Sequence, residues 1–525
     1  MGKLLQKEYK ERLRPRPLHP NQVTAKIIRN KVIQMKLKAA KNLESAPFEM
    51  KDLEEILTNI KSGKSRDPKG ISREIFKLTN IGTDLKKSLL TLCNKVQQYG
   101  DIPDFMKETL ISKIPKKGPK SELKNERGIF LVNSVRGLLM RMLFNSESKM
   151  VENNMSDSNI GGRKGKSCIN HIWVLNSIIH DQLSSKSNKP LRLQQYDYQQ
   201  MFDSMDLKEA CSDLYDVGIK DNKLHLLYNA NKNVKFKVNT PSGITQEVIM
   251  DNVVMQGDTW AGTMASVQCD AFGKELLEEE ASYIFKYKGF IPVGILGQID
   301  DLIGITEAGY KSLQMNSYLN VKTASRYLQF GPDKCKSMIV GGMKKKQEYL
   351  MTPLEVDTWK TNHNKEDEII DTFVGKTKMQ EVEEILYLGV VISCDGRNTK
   401  NLTHKRNKAI GTHKQITAMV KDLGKYTTEC GFIYLNSLLR GSILYGAEAM
   451  INTKEEDFRK IEQIEEQQMR LLFQTDKSCP LHLIYLESGK APARFEIKRM
   501  AINFYQYILQ QKENSLLNRM LSAQK

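Results

Sequence analysis

The 525-residue sequence predicts a mixed α/β (α+β) fold in which helix-rich segments flank a strand-rich centre. Apolar residues recur at helical spacing from residue 47 to about 150, as in the run that ends at Gly100. From about 190 they alternate with polar residues between turns, and beyond about 396 helical spacing returns. The length and the 40% apolar content are sufficient for two to four domains.

Two hairpins are predicted in the strand-rich centre. In the first, the alternating residues 234–238 lead through a turn at 241–243 to a strand at 248–250. In the second, two apolar runs, 294–299 and 302–305, are separated by Asp300 and Asp301, which we therefore expect at the hairpin tip.

The Asp300–Asp301 pair is one of two places in the chain where acidic residues end a predicted strand. An Asp-Asp pair at a tip is by itself most often a hydrated turn, because Asp tolerates turn conformations. Asp197 ends another strand-compatible run about 100 residues upstream, so the two elements are expected to lie side by side. Carboxylates that converge cannot all stay ionised without a cation, whereas two divalent ions need such ligands. Oxygen ligands favour two Mg²⁺ ions, with Mn²⁺ as a substitute, and the expected chemistry is nucleotidyl transfer or phosphodiester cleavage.

The charge balance favours a nucleic-acid partner. The net charge is +18, and residues 1–46 hold twelve Lys and Arg against three Glu. Cations that neutralise phosphates release counterions, which gives affinity for any nucleic acid. Residues 1–47 are therefore interpreted as a basic arm, with a solvated charged helix or an unstructured tail as the alternative.

Composition also argues against other classes of protein. The eight cysteines are scattered singly with no C-x-x-C pair, so neither a disulfide scaffold nor a zinc domain is expected. No long uncharged apolar run occurs and the N-terminus is charged, so we expect a soluble intracellular protein with no membrane partner.

An ordered series of motifs runs through the chain. YDYQQMFDSMD (196–206), with an aromatic and a second acid after Asp197, is followed by VVMQGDTWAG (253–262) and GQIDDLIGI (297–305). The remaining segments are KSRDPKGISREIFK (64–77), ISKIPKKGPKSELKNERGIFL (111–131), GGRKGKSCINHI (161–172), LQFGPDKCKSMIVG (328–341), YLGVVIS (387–393) and LRGSILYGAEAM (439–450). In type and order they resemble the reverse transcriptases of non-LTR (LINE-type) retrotransposons over roughly residues 50–500.

The resemblance implies a right-hand polymerase with an antiparallel-sheet palm, helical fingers and a helical thumb. The implied division is a basic arm at 1–47, fingers at 48–190, a palm at 191–395 and a helical thumb or connection at 396–525. Only about 50 residues precede the fingers motifs, which is too few for an endonuclease domain. The chain therefore resembles a divergent subgroup of these enzymes that lacks an endonuclease domain in this chain.

Site residues follow from the same resemblance. Asp197, Asp300 and Asp301 would be catalytic and would hold the two metal ions, together with the backbone carbonyl of Tyr198. Lys334 would protonate the leaving pyrophosphate, or else is a surface lysine.

The resemblance also implies a dNTP pocket. Phe202 would select deoxynucleotides, or else is a core aromatic, while Gln256 and Gly257 would line the pocket, or else form a simple turn. Lys113 and Arg127 would reach the triphosphate from the fingers, although the choice among Lys113 and its neighbouring lysines is open.

The implied partners are an RNA template, a DNA primer or target, and dNTPs, and the implied location is the nucleus and cytoplasm. Arg163, Lys164 and Lys166 would track the template backbone. The activity implied is RNA-templated DNA synthesis during retrotransposon replication. The competing hypotheses are a catalytically inactive nucleic-acid-binding relic, which would keep the basic groove, and a nuclease, which would not need a nucleotide pocket.

The chain departs from the family pattern at two places. Gln298 and Ile299 replace the usual aromatic residue and Ala before the Asp pair. Asp258 and Trp260 follow Gly257 where Ser and Pro are common, and we expect them to add charge and bulk near the nucleotide pocket.

Overall fold

A computed structural model of the protein confirms the mixed α/β class. The residues that it describes are 7, 20–116, 125–184, 190–278, 282–285, 291–341, 373–374, 377–423, 428–450 and 453–524. Within them, no helix is long and apolar enough to cross a lipid bilayer.

Helices dominate the first part of the chain, as predicted. The third of them ends at Gly100, whose left-handed φ of 69° lets its N–H bond back to the helix. The fourth begins after Asn133, whose side chain accepts hydrogen bonds from the N–H groups of Val135 and Arg136. These helices are α1 (Pro20–Lys41), α2 (Met50–Thr58), α3 (Thr83–Tyr99), α4 (Ser134–Asn154) and α5 (Cys168–Ser184).

A five-stranded sheet forms the centre of the molecule. Its strand order is β14-β11-β3-β10-β9, and every neighbouring pair is antiparallel except β14 with β11. Alternate side chains of the middle strand β3 are buried on opposite faces: Leu193 packs on the side of α5, and Tyr196 packs on the other side. The strands are β3 (Leu191–Tyr196), β9 (Ile295–Gln298), β10 (Asp301–Glu307), β11 (Lys336–Val340) and β14 (Gln380–Glu381).

A second five-stranded sheet lies beside the helices of the first part. Its order is β2-β1-β4-β5, with β6 also paired to β4. The pairing of Val234 with Met250 confirms the first predicted hairpin. The strands are β1 (Glu108–Pro115), β2 (Glu126–Val132), β4 (Val234–Thr240), β5 (Gly243–Ile244) and β6 (Val248–Met250).

Among the described residues, five helices and three two-stranded pairs complete the centre. The helices are α6 (Met201–Ser204), α7 (Leu207–Asp216), α8 (Asn222–Ala230), α9 (Ala261–Glu278) and α10 (Tyr310–Ser325). The pairs are β7 (Tyr283–Phe285) with β8 (Ile291–Val293), β12 (Phe373–Val374) with β13 (Thr377–Lys378), and β15 (Glu384–Tyr387) with β16 (Val390–Ser393). The largest apolar core lies between these helices, α2–α4 and one face of the central sheet.

The last part of the chain is helical, as predicted, and a π-helical stretch, Tyr434–Arg440, interrupts it. It has an apolar core of its own, which includes Leu402, Leu439 and Ile464. The final helix instead packs into the core on the α5 side of the central sheet. The helices are α11 (Thr399–Leu423), α12 (Thr428–Ile433), α13 (Gly441–Leu444), α14 (Glu455–Phe473), α15 (Leu481–Ser488), α16 (Ala493–Leu509) and α17 (Leu516–Gln524).

Helix α1, within the basic N-terminal segment, is docked on the fold through its charges. Lys26 and Arg29 both pair with the buried carboxylate of Glu209 on α7. Lys36 pairs with Asp216 at the end of the same helix, at 2.7 Å. Some of the positive charge that we interpreted as a nucleic-acid-binding arm is therefore matched by acids of the protein itself.

Candidate active site

The acidic hairpin exists, with a tip one residue earlier than predicted. Asp301 is the first residue of β10 and pairs with Gln298, so the two-residue loop is Ile299 and Asp300. Ile299 has a left-handed φ of 60°, which is costly for a β-branched residue. The loop therefore depends on contacts outside the hairpin to keep its shape.

Asn159 supplies such contacts. Its side chain is 1% exposed, and its Nδ2 donates to the carbonyl of Ile299 at 3.0 Å while its Oδ1 accepts from the Ile299 N–H at 3.3 Å. The backbone of its neighbours also bonds to Gly297, which extends the edge of β9. No motif of the sequence identified Asn159, because its role depends on a contact across 140 residues.

The central sheet brings the predicted acids together. Tyr196 at the end of β3 pairs with Leu302 on β10. Asp197 directly follows this pair on the β3 side and Asp301 directly precedes it on β10, so both acids lie at the same edge of the sheet. The loop residue Asp300 precedes Asp301 in the chain, and the charge of Asp197 acts on the carboxyl of Asp300.

The segment before β11 supports the backbone of Asp197. The N–H of Gly331 donates to the carbonyl of Asp197 at 2.8 Å, and the rings of Tyr198 and Phe330 lie 4.7 Å apart. Lys334 Nζ is 2.9 Å from Asp197 Oδ1, so this lysine faces the acids as the resemblance implies. The side chain of Tyr198 is buried, which leaves only its backbone for a role at the site.

The acids repel one another. Burial raises the pKa of the Asp300 carboxyl, and the charge of Asp197 raises it further, while Arg127 and Lys334 oppose the rise. Partial burial raises the pKa of Asp301 to about 6; the charges of Asp300 and Asp197 add to the rise, and Lys334 opposes it. The side chain of Asp301 nevertheless reaches solvent, so a cation has access to it. This edge of the sheet is a concentration of negative charge that a cation would stabilise.

The donor set fits Mg²⁺, although the side chains are not arranged around one point. Across the described ranges, no three His, Cys, Asp or Glu side chains are placed to hold one metal ion. Asp197 is paired with Lys334, whose side chain is 66% exposed, and such a pair contributes only about 0–1 kcal/mol. A divalent ion can therefore displace the lysine, and carboxylate oxygens are the ligands that Mg²⁺ prefers.

The Gln-Gly turn packs on the second sheet. Gly257 has a φ of 110°, and a Cβ there would lie 2.9 Å from Cγ2 of Ile129 on β2. The carbonyl of Gln256 accepts from the N–H of Phe130 at 2.8 Å. The backbone of Gln256 and Gly257 thus packs closely against β2, which leaves no room for a side chain at position 257. The side chain of Gln256 is partly exposed.

The charge of Asp258, which we expected near the nucleotide pocket, is paired inside the protein. Asp258 is buried and pairs with the fully buried Arg136 at 2.7 Å, because its side chain points towards α4. Trp260 is also buried, and its indole N–H donates to the carbonyl of Met140 at 3.2 Å. Both unusual residues after the turn therefore fasten it to α4.

Of the two residues predicted to reach the triphosphate, Lys113 is engaged in an ion pair and Arg127 is not. Lys113 pairs with Glu126 at 2.9 Å. Because Ile114 is the partner of Arg127 in the β1–β2 register, Lys113 and Arg127 project from opposite faces of the ribbon. Arg127 is exposed and forms no ion pair with any described residue. Its positive charge lowers the pKa of the Asp300 carboxyl. Lys117 and Lys120 lie outside the described residues.

Phe202 lies in the short helix α6. The residue before this helix, Gln200, has a left-handed φ of 56°. The ring is partly buried and packs against the largest core. Both the core interpretation and a partly exposed edge at the site are compatible with this position.

Two of the three predicted template contacts are engaged within the protein. Arg163 pairs with Glu152 at 2.8 Å, and Lys166 pairs with Asp157 at 2.8 Å. Lys164 is exposed, and it makes no ion pair in the part of the chain that the structure describes. Their binding to nucleic acid stays a prediction, and Lys164 is the side chain best placed for it.

A basic cleft of about 670 Å³, which the sequence did not predict, opens beside the Gln-Gly turn. One wall is formed by Gly257 and by Ile129 and Leu131, which share a face of β2 with Arg127. Five cations line the cleft without an ion pair to any described residue, against two acids, Glu55 and Asp67. The five cations are Lys61, Lys64, Arg66, Arg73 and Arg141.

The positive charge of this cleft is only partly balanced by acids. Burial lowers the pKa of the Arg73 guanidinium, and the nearby charge of Arg141 lowers it further, although Asp258 and Asp67 oppose the shift. The carboxylate of Asp67 is occupied by backbone N–H groups, including that of Ser134 at 3.0 Å. The cleft is therefore suited to an anionic ligand.

Comparison with known proteins does not assign the chain to a family. No protein-family model matches it, and no curated protein matches it either.

The raised pKa of Asp301 predicts how its replacement changes stability with pH. Between about pH 4 and 6 the folded protein keeps a proton on Asp301 that the unfolded chain has released, so ionisation above about pH 6 opposes folding. In EDTA, Asp301→Asn is expected to have a higher Tm than the wild type near pH 7.5. The difference should shrink as the pH falls towards about 4.

Asp476→Asn is the matched control. Hydrogen bonds from Ser478 lower the pKa of Asp476, so its replacement should lower the Tm at neutral pH rather than raise it. A Tm difference for Asp301→Asn that does not change with pH would contradict this account of the site.

Proposed function

We propose that this protein is an RNA-templated DNA polymerase, a reverse transcriptase of the non-LTR retrotransposon type. The observation that carries the proposal is the convergence of Asp197, Asp300 and Asp301 at one edge of an antiparallel sheet, facing Lys334. The proposal includes the finer architecture: a palm around this sheet, fingers that contain β1 and β2, and a thumb built from α11–α16.

Asp197, Asp300 and Asp301 would hold two Mg²⁺ ions, with the backbone carbonyl of Tyr198. When bound, such ions activate an attacking hydroxyl and stabilise the leaving oxygen of an in-line phosphoryl displacement. The repulsion among the three carboxylates supports this assignment, because it is relieved only by a cation or a proton.

The remaining side chains act on the nucleotide. Arg127 is free to bind a triphosphate by bidentate hydrogen bonds. Lys334 lies close enough to the acids to give a proton to the departing pyrophosphate. The side chain of Gln256 and the partly exposed edge of Phe202 would border the base and the sugar of the incoming nucleotide.

The basic cleft would receive the template. Its lining includes apolar residues of β2, next to Gly257, and five cations from other segments. The bases of a single strand can pack on the apolar lining, and its phosphates can bind the cations. The same face of β2 carries Arg127, so a template in the cleft would lead to the nucleotide.

One observation favours the second candidate, an inactive nucleic-acid-binding relic. Asp197 is held by Lys334 rather than arranged with the other acids around a metal position. A relic would keep the basic cleft but would bind no Mg²⁺ at these acids.

Primer extension separates the two candidates. On a primed RNA template with Mg²⁺, the wild type is expected to incorporate dNTPs, and Asp197→Asn and Asp300→Asn are expected to lose about a thousandfold in rate or more. The reason is that metal ions supply several kcal/mol of charge stabilisation, and each 1.36 kcal/mol is tenfold. Incorporated label is measured per mole of protein.

Asp476→Asn, which changes an exposed acid in the loop between α14 and α15, should extend at the wild-type rate. Filter binding at fixed salt checks that all variants still bind the primed template. A wild type that binds the template but extends it with neither Mg²⁺ nor Mn²⁺ would favour the relic.

The template cleft predicts a specific salt dependence. Arg141→Gln should weaken the binding of single-stranded RNA several-fold and reduce the slope of log K against log salt by about 0.7, because one phosphate contact is lost. Arg499→Gln removes the same charge from α16 and should change neither quantity appreciably. Equal slopes for Arg141→Gln and the wild type would contradict binding in this cleft.

A further inference from the structure

A second cleft, of about 590 Å³, opens where the last two helices meet the central part of the chain. Three parts of the chain line this C-terminal cleft: the segment 152–166, residues of α9, β8 and β9, and the segment 507–519 at the junction of α16 and α17. The last segment lies beyond roughly residue 500, where the resemblance to reverse transcriptases ends. The resemblance therefore implies no role for it.

The C-terminal cleft carries positive charge that is left for a ligand. Three exposed cations in its lining form no ion pair within the described part of the chain: Lys164, Lys512 and Arg519. Of the two acids in the lining, Glu152 pairs with Arg163 at 2.8 Å. The other, Asp157, pairs with Lys166 at 2.8 Å. Because both acids are already paired, the three exposed cations favour an anionic ligand.

Hydrogen bonds fix the C-terminal helices at this cleft. The hydroxyl of Tyr507 on α16 donates to the carbonyl of Gly165 at 2.7 Å. The N–H of Leu516, the first residue of α17, donates to Oδ2 of Asp157 at 2.8 Å. Of the two C-terminal cations, one lies between these contacts in the chain and the other follows them closely. The fold therefore holds both cations in place beside the glycine-rich segment.

Tyr507 also gives the cleft an aromatic surface. It is partly exposed in the lining, and its ring stacks on that of Phe504 with the centroids 5.6 Å apart and an angle of 22° between the planes. An aromatic side chain can stack on any nucleobase, because every base has a π-face. Cations combined with an aromatic ring are typical of grooves that bind single-stranded nucleic acid.

Helix α4 runs between the C-terminal cleft and the basic cleft beside the Gln-Gly turn. Asn145 lines the basic cleft and Glu152 lines the C-terminal cleft, and no residue lines both. Because an α-helix rises 1.5 Å per residue, these two positions lie about 10 Å apart along α4. The clefts are therefore distinct. Even at the duplex spacing of about 3.4 Å per nucleotide, a strand of several nucleotides is long enough to reach from one to the other.

We propose that the C-terminal helices complete a second binding cleft for single-stranded nucleic acid. Lys164, Lys512 and Arg519 bind its phosphates, and the ring of Tyr507 packs on a base. RNA and DNA single strands both present these groups, so the chemistry of the cleft fits either. The proposal goes beyond the polymerase function, because binding here requires neither the three carboxylates nor a metal ion.

The test is the binding of a labelled single strand to the full chain in EDTA, followed by fluorescence anisotropy over a series of salt concentrations. RNA and DNA of one sequence are compared. The double variant Lys512→Gln/Arg519→Gln is expected to bind about tenfold more weakly than the wild type at low salt. It should also reduce the slope of log K against log salt by about 1.4, because two phosphate contacts are lost.

Two variants of Tyr507 isolate the contribution of the ring. Tyr507→Phe and Tyr507→Leu both lose the hydrogen bond to Gly165, but only Tyr507→Leu loses the aromatic surface. Tyr507→Leu is therefore expected to bind the strand about fivefold more weakly than Tyr507→Phe, which is the effect of one base stacked on an aromatic side chain. The salt slope should be the same for both variants, because neither changes the charge.

Lys87→Gln/Lys95→Gln is the matched control. It also removes two exposed cations, but from α3, and neither residue lines the basic cleft or the C-terminal cleft. Its Kd and salt slope should equal those of the wild type. Adding Arg141→Gln to the Lys512→Gln/Arg519→Gln variant should reduce the slope by about 2.1, the sum of the separate changes, because the two clefts share no residue.

The outcomes for the cleft and for the polymerase function are separate. A Lys512→Gln/Arg519→Gln variant with the wild-type Kd and slope for both RNA and DNA would overturn the inference, and so would a wild type that binds neither strand. A loss of affinity for RNA, for DNA or for both supports it and identifies the strand. A wild type that shows this loss but does not extend primers overturns the proposed polymerase function alone.

Discussion

The repulsion among three carboxylates at the edge of the central sheet is the constraint on which the rest of the structure depends. Asp197, Asp300 and Asp301 are held close by strand pairing, although burial and mutual repulsion raise the pKa values of the latter two. Folding keeps them together only because the surrounding contacts outweigh this repulsion. Lys334 and Arg127 reduce it from outside the hairpin.

Two tight hairpin loops near this edge share one construction. Each places an aliphatic residue, Ile299 or Leu388, in the left-handed region, at a cost of about 1–2 kcal/mol. In each case a residue distant in sequence bonds to the strained backbone: Asn159 to Ile299, and Tyr445 to Leu388. A hydrogen bond contributes about 0.5–1.5 kcal/mol, so the bonds and the packing around them are of the size needed to offset the strain.

The sequence predicted those features that depend on local chemistry. The helix that ends at Gly100, the hairpin of 234–250 and an acidic hairpin near Asp300 follow from periodicity and turn residues, and the structure has all three. The predicted tip, Asp300–Asp301, was wrong by one residue, because a β-branched residue such as Ile299 is not expected at a left-handed position.

Contacts between distant segments were not predictable in the same way. Asn159 and Tyr445 are ordinary residue types whose roles arise only from the packing. Charged residues showed the same limit: Asp258 turned inward to Arg136, and Arg163 found a partner in Glu152. A pattern of charges in a sequence does not show which of them will pair with one another and which will remain for a ligand.

Mn²⁺ binding followed by electron paramagnetic resonance tests the central claim most directly, with a primed RNA template, a terminated primer and dNTP present. The account predicts two ions per chain, coupled to each other because such pairs lie about 3.5–4 Å apart, and the loss of both ions in Asp197→Asn. Lys334→Met should retain both ions, since Lys334 competes for Asp197 rather than supporting the metal site. Equal binding by the wild type and Asp197→Asn, or no bound ion in either, would contradict the account.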